Sequence, residues 1–154
     1  MTLVYRILRK SYSKKPLDGE GAYRFGGRWS SPGIRLAYTA ERQSLAIIEY
    51  FVHIDPDILP QDLVMVTAEI PRKVSRIPVS ARNLPANWRA SPAIPDLARF
   101  GDEFVQACRA AILIVPSALA PAESNWLINP QHPDSSRIRV RSREAFEYDS
   151  RFLQ

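Results

Sequence analysis

Three residues in one short span have the types and setting that ligand chemistry needs. Arg28 directly follows Gly26-Gly27, Tyr38 ends a strand-like run, and Glu49 sits inside the apolar run Leu45 to Val52. Paired glycines let the backbone approach a ligand closely. A guanidinium placed there can grip phosphate oxygens through two parallel hydrogen bonds; otherwise Arg28 is a surface turn residue. An ionised carboxylate among apolar neighbours is costly unless it is paired, solvated in a cleft or protonated. Glu49 is therefore either a functional group or the partner of a buried cation, for which Arg6 is the candidate. Tyr38 shares a strand face with Ile34 and Leu36, which on its own describes a core tyrosine with a satisfied hydroxyl.

Other routes to chemistry are poorly supplied. A serine nucleophile at Ser124 would need a histidine base, and only His53 and His132 exist. No Gly-x-Ser-x-Gly elbow surrounds Ser124, so Ser124 and Asn125 read as hydrogen-bond donors to a ligand or as a loop-to-strand cap. Neither Gly-x-Gly-x-x-Gly nor Gly-x-x-x-x-Gly-Lys occurs, which removes Rossmann-type and Walker-type phosphate loops. Glu49, His53 and Asp57 have helical spacing for a metal, but Pro56 breaks the helix before Asp57, so no metal is expected. Trp29 reads as a core or loop anchor, His132 as a loop histidine, and Cys108, the sole cysteine, as a core residue that can form no internal disulfide.

The elements that must position these groups follow from periodicity. Leu3 to Leu8 alternates as a strand with Arg6 among apolar neighbours, and Arg9 to Gly27, rich in glycine, reads as loop. Ile34 to Thr39 alternates again, and Thr39 then caps a largely buried helix from Ala40 to Ile54. Leu63 to Ile70 is a strand, the proline-punctuated stretch to Pro95 allows only short elements, and Ile94 to Ala110 is helical with a break near Gly101. Ala111 to Val115 and Asn125 to Asn129 read as strands, and Arg137 to Val140 with Ala145 to Tyr148 as a closing pair. With no repeat or linker, residues 1–154 are expected to form one α+β domain. Composition adds a real core, 45% apolar, and a net charge of +5 that favours anionic partners. The N-terminal stretch lacks the apolar segment of a secretory signal, and no run is long enough to span a bilayer, so a cytoplasmic protein is expected.

Taken together, Tyr5-Arg6, Gly26-Gly27-Arg28-Trp29-Ser30, Ala37-Tyr38-Thr39-Ala40, Ala46-Ile47-Ile48-Glu49 and Glu123-Ser124-Asn125-Trp126 through Pro133 resemble the RES domain family over nearly the whole chain. That resemblance implies a single mixed domain, central β-sheets with flanking helices, similar to ADP-ribosyltransferase toxins. It implies the toxin of a bacterial type II toxin–antitoxin pair that consumes NAD⁺ as glycohydrolase or phosphorylase; one alternative is an ADP-ribosyltransferase that modifies a protein. Its functional residues fall on Arg6, Arg28, Tyr38, Glu49 and Ser124. In that chemistry a carboxylate, here Glu49, stabilises an oxocarbenium-like ribose, and the arginines hold the pyrophosphate. Tyr38 would contact the nicotinamide or ribose, while Ser124 and Asn125 add hydrogen bonds. The implied partners are NAD⁺, entering as substrate with no further cofactor, and an Xre-type helix-turn-helix antitoxin, with a homo-oligomer within that complex and no membrane or direct nucleic acid. Ile47 stands two residues before Glu49, where protein-modifying transferases commonly carry a second acidic or amide side chain, and Ser30 replaces a frequent asparagine.

Two readings from other classes compete. The alternating Arg137, Arg139, Arg141 and Arg143 would share one strand face and could track phosphates, making a nucleic-acid-binding or RNA-cleaving module; a solvated or partner-facing strand is the plainer account. Alternatively, Glu49 simply neutralises Arg6 in an interaction protein.

Overall fold

The computed structural model describes residues 1–153. Seven strands form one sheet: β1 (Thr2–Arg9), β2 (Ala37–Ala40), β3 (Leu63–Ile70), β4 (Arg76–Pro78), β5 (Ile112–Pro116), β6 (Ser124–Ile128) and β7 (Arg139–Phe146). Their spatial order is β4-β5-β6-β2-β1-β3-β7. Helices α1 (Glu20–Phe25), α2 (Gln43–Phe51) and α3 (Pro95–Ala107) complete a mixed domain, as the sequence leads one to expect. The sheet has two unequal joints. β1 pairs with β3 along all eight residues, whereas β1 meets β2 at the single pair Tyr5↔Ala40. A seam therefore runs down the middle, and Leu45 and Ala46 of α2 cover it by packing with Ile7, Ala40 and Met65 from three strands.

Alternation along the strands defines two faces. Tyr38, Ala40, Asn125, Leu127 and Val115 lie on the front face, in register through Tyr38↔Leu127 and Ala40↔Asn125↔Val115. Val4, Ala37, Ala68, Ile112 and Ile128 lie on the reverse face in a separate core cluster. Arg6 alternates with Tyr5 and Ile7 and so takes the reverse side, between Val4 and Leu8.

Several expectations are corrected. The glycine-rich stretch is not all loop, because α1 forms within it. Asp18 Oδ1 accepts from Glu20 N–H at 3.0 Å, Gly19 takes the left-handed φ of 71° that a side chain would resist, and Glu20 pairs with Arg24 one turn on. Thr39 caps no helix; it belongs to β2, and its hydroxyl donates to the Trp126 carbonyl at 2.7 Å. Accordingly α2 is shorter than expected, has Arg42 at its N-cap, and buries only Leu45 and Ala46 while Ile48 is exposed. Helix α3 runs unbroken through Gly101, and Cys108 is exposed at its left-handed C-terminal cap rather than in the core. The closing pair of strands is one strand, β7.

A β-bulge also overturns the shared face of the late arginines. The register of β3 with β7 slips between Thr67 and Ala68, so Arg139 pairs with Glu69 but Arg143 with Val66. These partners point to opposite faces, and Arg143 is thereby turned to the reverse side. Arg141, at the slip, forms an ion pair with Glu69. No described helix is long and apolar enough to cross a membrane.

Candidate active site

The Gly26–Ser31 turn is built against β2 and α3. Gly27 N–H donates to the Ser30 carbonyl at 2.9 Å, and Gly26 has a φ of 72°. A Cβ on Gly27 would come within 2.6 Å of the Tyr38 hydroxyl, so a second glycine is needed for close approach as well as for the bend. Helix α3 clamps the other side. Gly101 lies so close to the Trp29 carbonyl that a Cβ there would overlap it, and Asp102 accepts from Ser31 N–H at 2.9 Å and from Ser31 Oγ at 2.6 Å. Trp29 itself is 3% exposed and meets Phe100 edge to face, so it is the anchor its type suggests.

Tyr38 is enclosed by that turn. Its hydroxyl oxygen accepts from Trp29 N–H at 3.0 Å and lies 2.8 Å from Ser30 Oγ. Burial pushes the hydroxyl up to about 12, against the opposing effect of those two hydrogen bonds. Arg28 leaves the turn toward the loop before α3, where its Nη1 donates to the Trp88 and Ala90 carbonyls at 3.1 and 2.9 Å. Both Nη1 hydrogens are thus committed. The Nε and Nη2 edge keeps the two parallel donors that a phosphate or carboxylate accepts.

Glu49, on α2, is held from a distant part of the chain. Ser117, just beyond β5 and fully buried, donates its hydroxyl to Glu49 Oε1 at 2.6 Å. Ser117 Oγ in turn accepts from Leu119 and Ala120 N–H at 3.1 Å each, so the serine is fixed by its own loop. The second carboxylate oxygen of Glu49 has no partner among the described residues. Ser117 is the residue that sequence reasoning missed. The available signal was a serine closing a buried strand, Val115-Pro116-Ser117, but nothing linked it to a helix 68 positions earlier.

Ser124 and Asn125 open β6 on the strand next to these groups. Glu41 clamps Ser124 by accepting its N–H at 2.9 Å and donating its own N–H to the Ser124 carbonyl at 3.2 Å. This makes the loop-to-strand cap real while leaving the Ser124 hydroxyl unused. Asn125 Nδ2 makes one long contact, 3.4 Å, to the Thr39 carbonyl. Arg6 is not brought to Glu49. Its Nη1 donates to the Pro16 carbonyl at 3.1 Å, and burial holds its guanidinium below the usual arginine range, partly offset by Asp18. The Arg6–Glu49 ion pair does not form, which removes the basis of the reading that Glu49 neutralises Arg6. Among the described residues no three histidine, cysteine or acidic side chains come close enough to hold a metal.

A family model described as the RES domain matches residues 3–149. The chain belongs to the RES domain family. Its sequence is 37% identical over 147 residues to the Prs ADP-ribosylating toxin of Sphingobium sp. (strain YBL2), covering 94% of this chain and 91% of that one. It is 32% identical to the Toxin Res of Photorhabdus laumondii, with 99% and 97% covered, and 36% identical to the Toxin Res of Pseudomonas putida, with 96% and 99% covered. This RES domain also shares its fold with a chain in the crystal structure of the M. tuberculosis MbcT–MbcA toxin–antitoxin complex. The TM-score is 0.77 at 16% identity, with 94% of this chain and 84% of that one covered.

Proposed function

We propose that the chain is the toxin of a bacterial toxin–antitoxin pair that acts in the cytoplasm by cleaving the nicotinamide–ribose bond of NAD⁺. The observation that carries this reading is the state of Glu49: one oxygen is pinned by the buried Ser117, and the other has no hydrogen-bond partner among the described residues. A carboxylate held in this way is preorganised for charge that develops in a transition state. In the proposed step the bond from ribose C1′ to the pyridinium nitrogen breaks, and the electron pair leaves with neutral nicotinamide. Positive charge spreads over C1′ and the ring oxygen beside Glu49, and water or phosphate adds to C1′ with release of a proton. No general acid is needed, because the leaving group is already cationic.

The other residues take supporting roles. Arg28 offers its Nε and Nη2 edge to the pyrophosphate, braced by the Trp88 and Ala90 carbonyls. Tyr38 gives the nicotinamide or ribose a wall, and the free Ser124 hydroxyl and Asn125 amide supply hydrogen bonds from β6. Arg6 contributes by holding the Lys14–Asp18 segment rather than by reaching Glu49. NAD⁺ is the substrate, with no further cofactor, and the antitoxin is of the Xre helix-turn-helix type. The name of the Sphingobium relative favours a second reading, transfer of ADP-ribose to a protein.

Purified protein incubated with NAD⁺ is expected to release nicotinamide, and Glu49→Gln, which keeps an oxygen for the Ser117 hydroxyl, is expected to abolish release while the fold persists. Unchanged turnover in that variant would overturn the mechanism. Label from adenine-tagged NAD⁺ that ends on a protein instead of in free ADP-ribose or its phosphate would select the transferase reading.

A further inference from the structure

Behind the sheet lies a cleft of about 440 Å³, large enough for a small ligand or a few side chains. Its floor is aliphatic, formed by Leu17, Ile128, Ile138 and Val140, and its rim carries Lys14, Lys15 and Arg143. Asp18 is the one carboxylate in its lining. Three basic side chains against one acidic one give the concavity a positive field over an apolar base.

This arrangement depends on the bulge in β7. Unbroken alternation from Arg139 would keep Arg143 on the front face; the register slip turns it over the cleft beside Val140. There Arg143 donates from Nε to the Ser13 carbonyl at 2.7 Å and from Nη2 to the Lys14 carbonyl at 3.4 Å, leaving Nη1 for an occupant. The opposite end of the same wall is tied by Arg6 to the Pro16 carbonyl. His132 lines the third side, and its Nδ1 accepts from Asp134 N–H, which leaves Nε2–H as its free donor. Both ends of the wall are thus fastened, so little ordering is needed on binding.

We infer that this reverse-face cleft is a docking site for an acidic polypeptide segment with an aliphatic anchor, on the side of the sheet opposite Tyr38 and Asn125. The lining argues for peptide over nucleic acid: it contains no Phe, Tyr or Trp to stack on a base, while aliphatic side chains and prolines suit a Leu or Ile flanked by carboxylates. The inference stands independently of the NAD⁺ reading.

The test is amide NMR on the full chain at 150 mM salt with four probes: the blocked peptides Glu-Glu-Leu-Asp-Glu and Glu-Glu-Ser-Asp-Glu, ADP, and a ten-nucleotide RNA. The leucine peptide is expected to shift Leu17, Ser135, Ile138 and Val140. The serine peptide should bind more weakly, and the exposed double change Lys14→Glu with Lys15→Glu should weaken the leucine peptide about tenfold or more. The docking site is overturned if no shifts appear at millimolar peptide, if they map to the front face, or if the double variant binds equally well. ADP or RNA giving the same shifts more tightly than the leucine peptide would also overturn it, in favour of a phosphate ligand.

Discussion

Tyr38 is enclosed: one backbone N–H, one serine hydroxyl and a glycine with no room for a methyl group surround its hydroxyl. Glu49, at the other end of the candidate site, is hydrogen-bonded to one side chain, and among the described residues its second oxygen has no partner. The contrast separates scaffold from chemistry. A polar group whose hydrogen bonds are all met within the protein has little left to offer a ligand, whereas a carboxylate fixed through one oxygen keeps a free acceptor. Arg28 follows the second pattern, with one face of its guanidinium spent on carbonyls and the other edge open.

The sharpest way to break this contrast is to compare Glu49→Gln with Tyr38→Phe in the nicotinamide-release assay. The glutamine variant is expected to lose about 10³-fold or more, and a larger loss in the phenylalanine variant would reverse the assignment of roles. Next in size, Ser117→Ala removes the donor to Glu49 and should lower turnover by about 10- to 100-fold, the worth of a buried hydrogen bond to a charged group. Its effect should vanish in the Glu49→Ala background, where the serine has nothing to orient. On the scaffold side, Gly27→Ala forces a Cβ against the Tyr38 hydroxyl and should cost about 1–3 kcal/mol in a denaturant titration. Tyr38→Phe leaves the Trp29 N–H and Ser30 hydroxyl without their partner and should cost about 1–2 kcal/mol.

The smallest effect is a pH signature. Burial raises the Tyr38 hydroxyl to about 12, so between its ordinary value and 12 the folded chain holds a proton that the unfolded chain has lost. Stability from this group is complete below about pH 10 and falls as pH rises toward 12. Tyr148 and Tyr50, both also raised by burial, contribute to the same fall. The stability difference between wild type and Tyr38→Phe should therefore narrow over that interval; a constant difference would place the Tyr38 hydroxyl in contact with solvent.

How far the sequence reveals all this depends on the range of the interaction. Leu63 to Ile70 has the same limits in sequence and structure, because alternation is a local signal that the β1–β3 pairing merely uses. Arg28 and Glu49 stand out in the sequence as anomalies of type and setting, and Tyr38 reads on its own as a core tyrosine. What Arg28 and Glu49 touch is not visible there, since the partners are Trp88, Ala90 and Ser117, between 60 and 68 residues away. Gly101 was misread for a related reason: a glycine within a helix pattern signals weakness locally, but here it admits the Trp29 carbonyl, which lies far off in sequence. The bulge in β7 left no mark in the arginine pattern that it rearranges.

The single Tyr5↔Ala40 pair gives the sheet an uneven mechanical character. Load that the β1–β3 ladder shares along eight residues is carried at the β1–β2 joint by one ladder pair and by the packing of α2 over it. The helix that carries Glu49 straddles that joint.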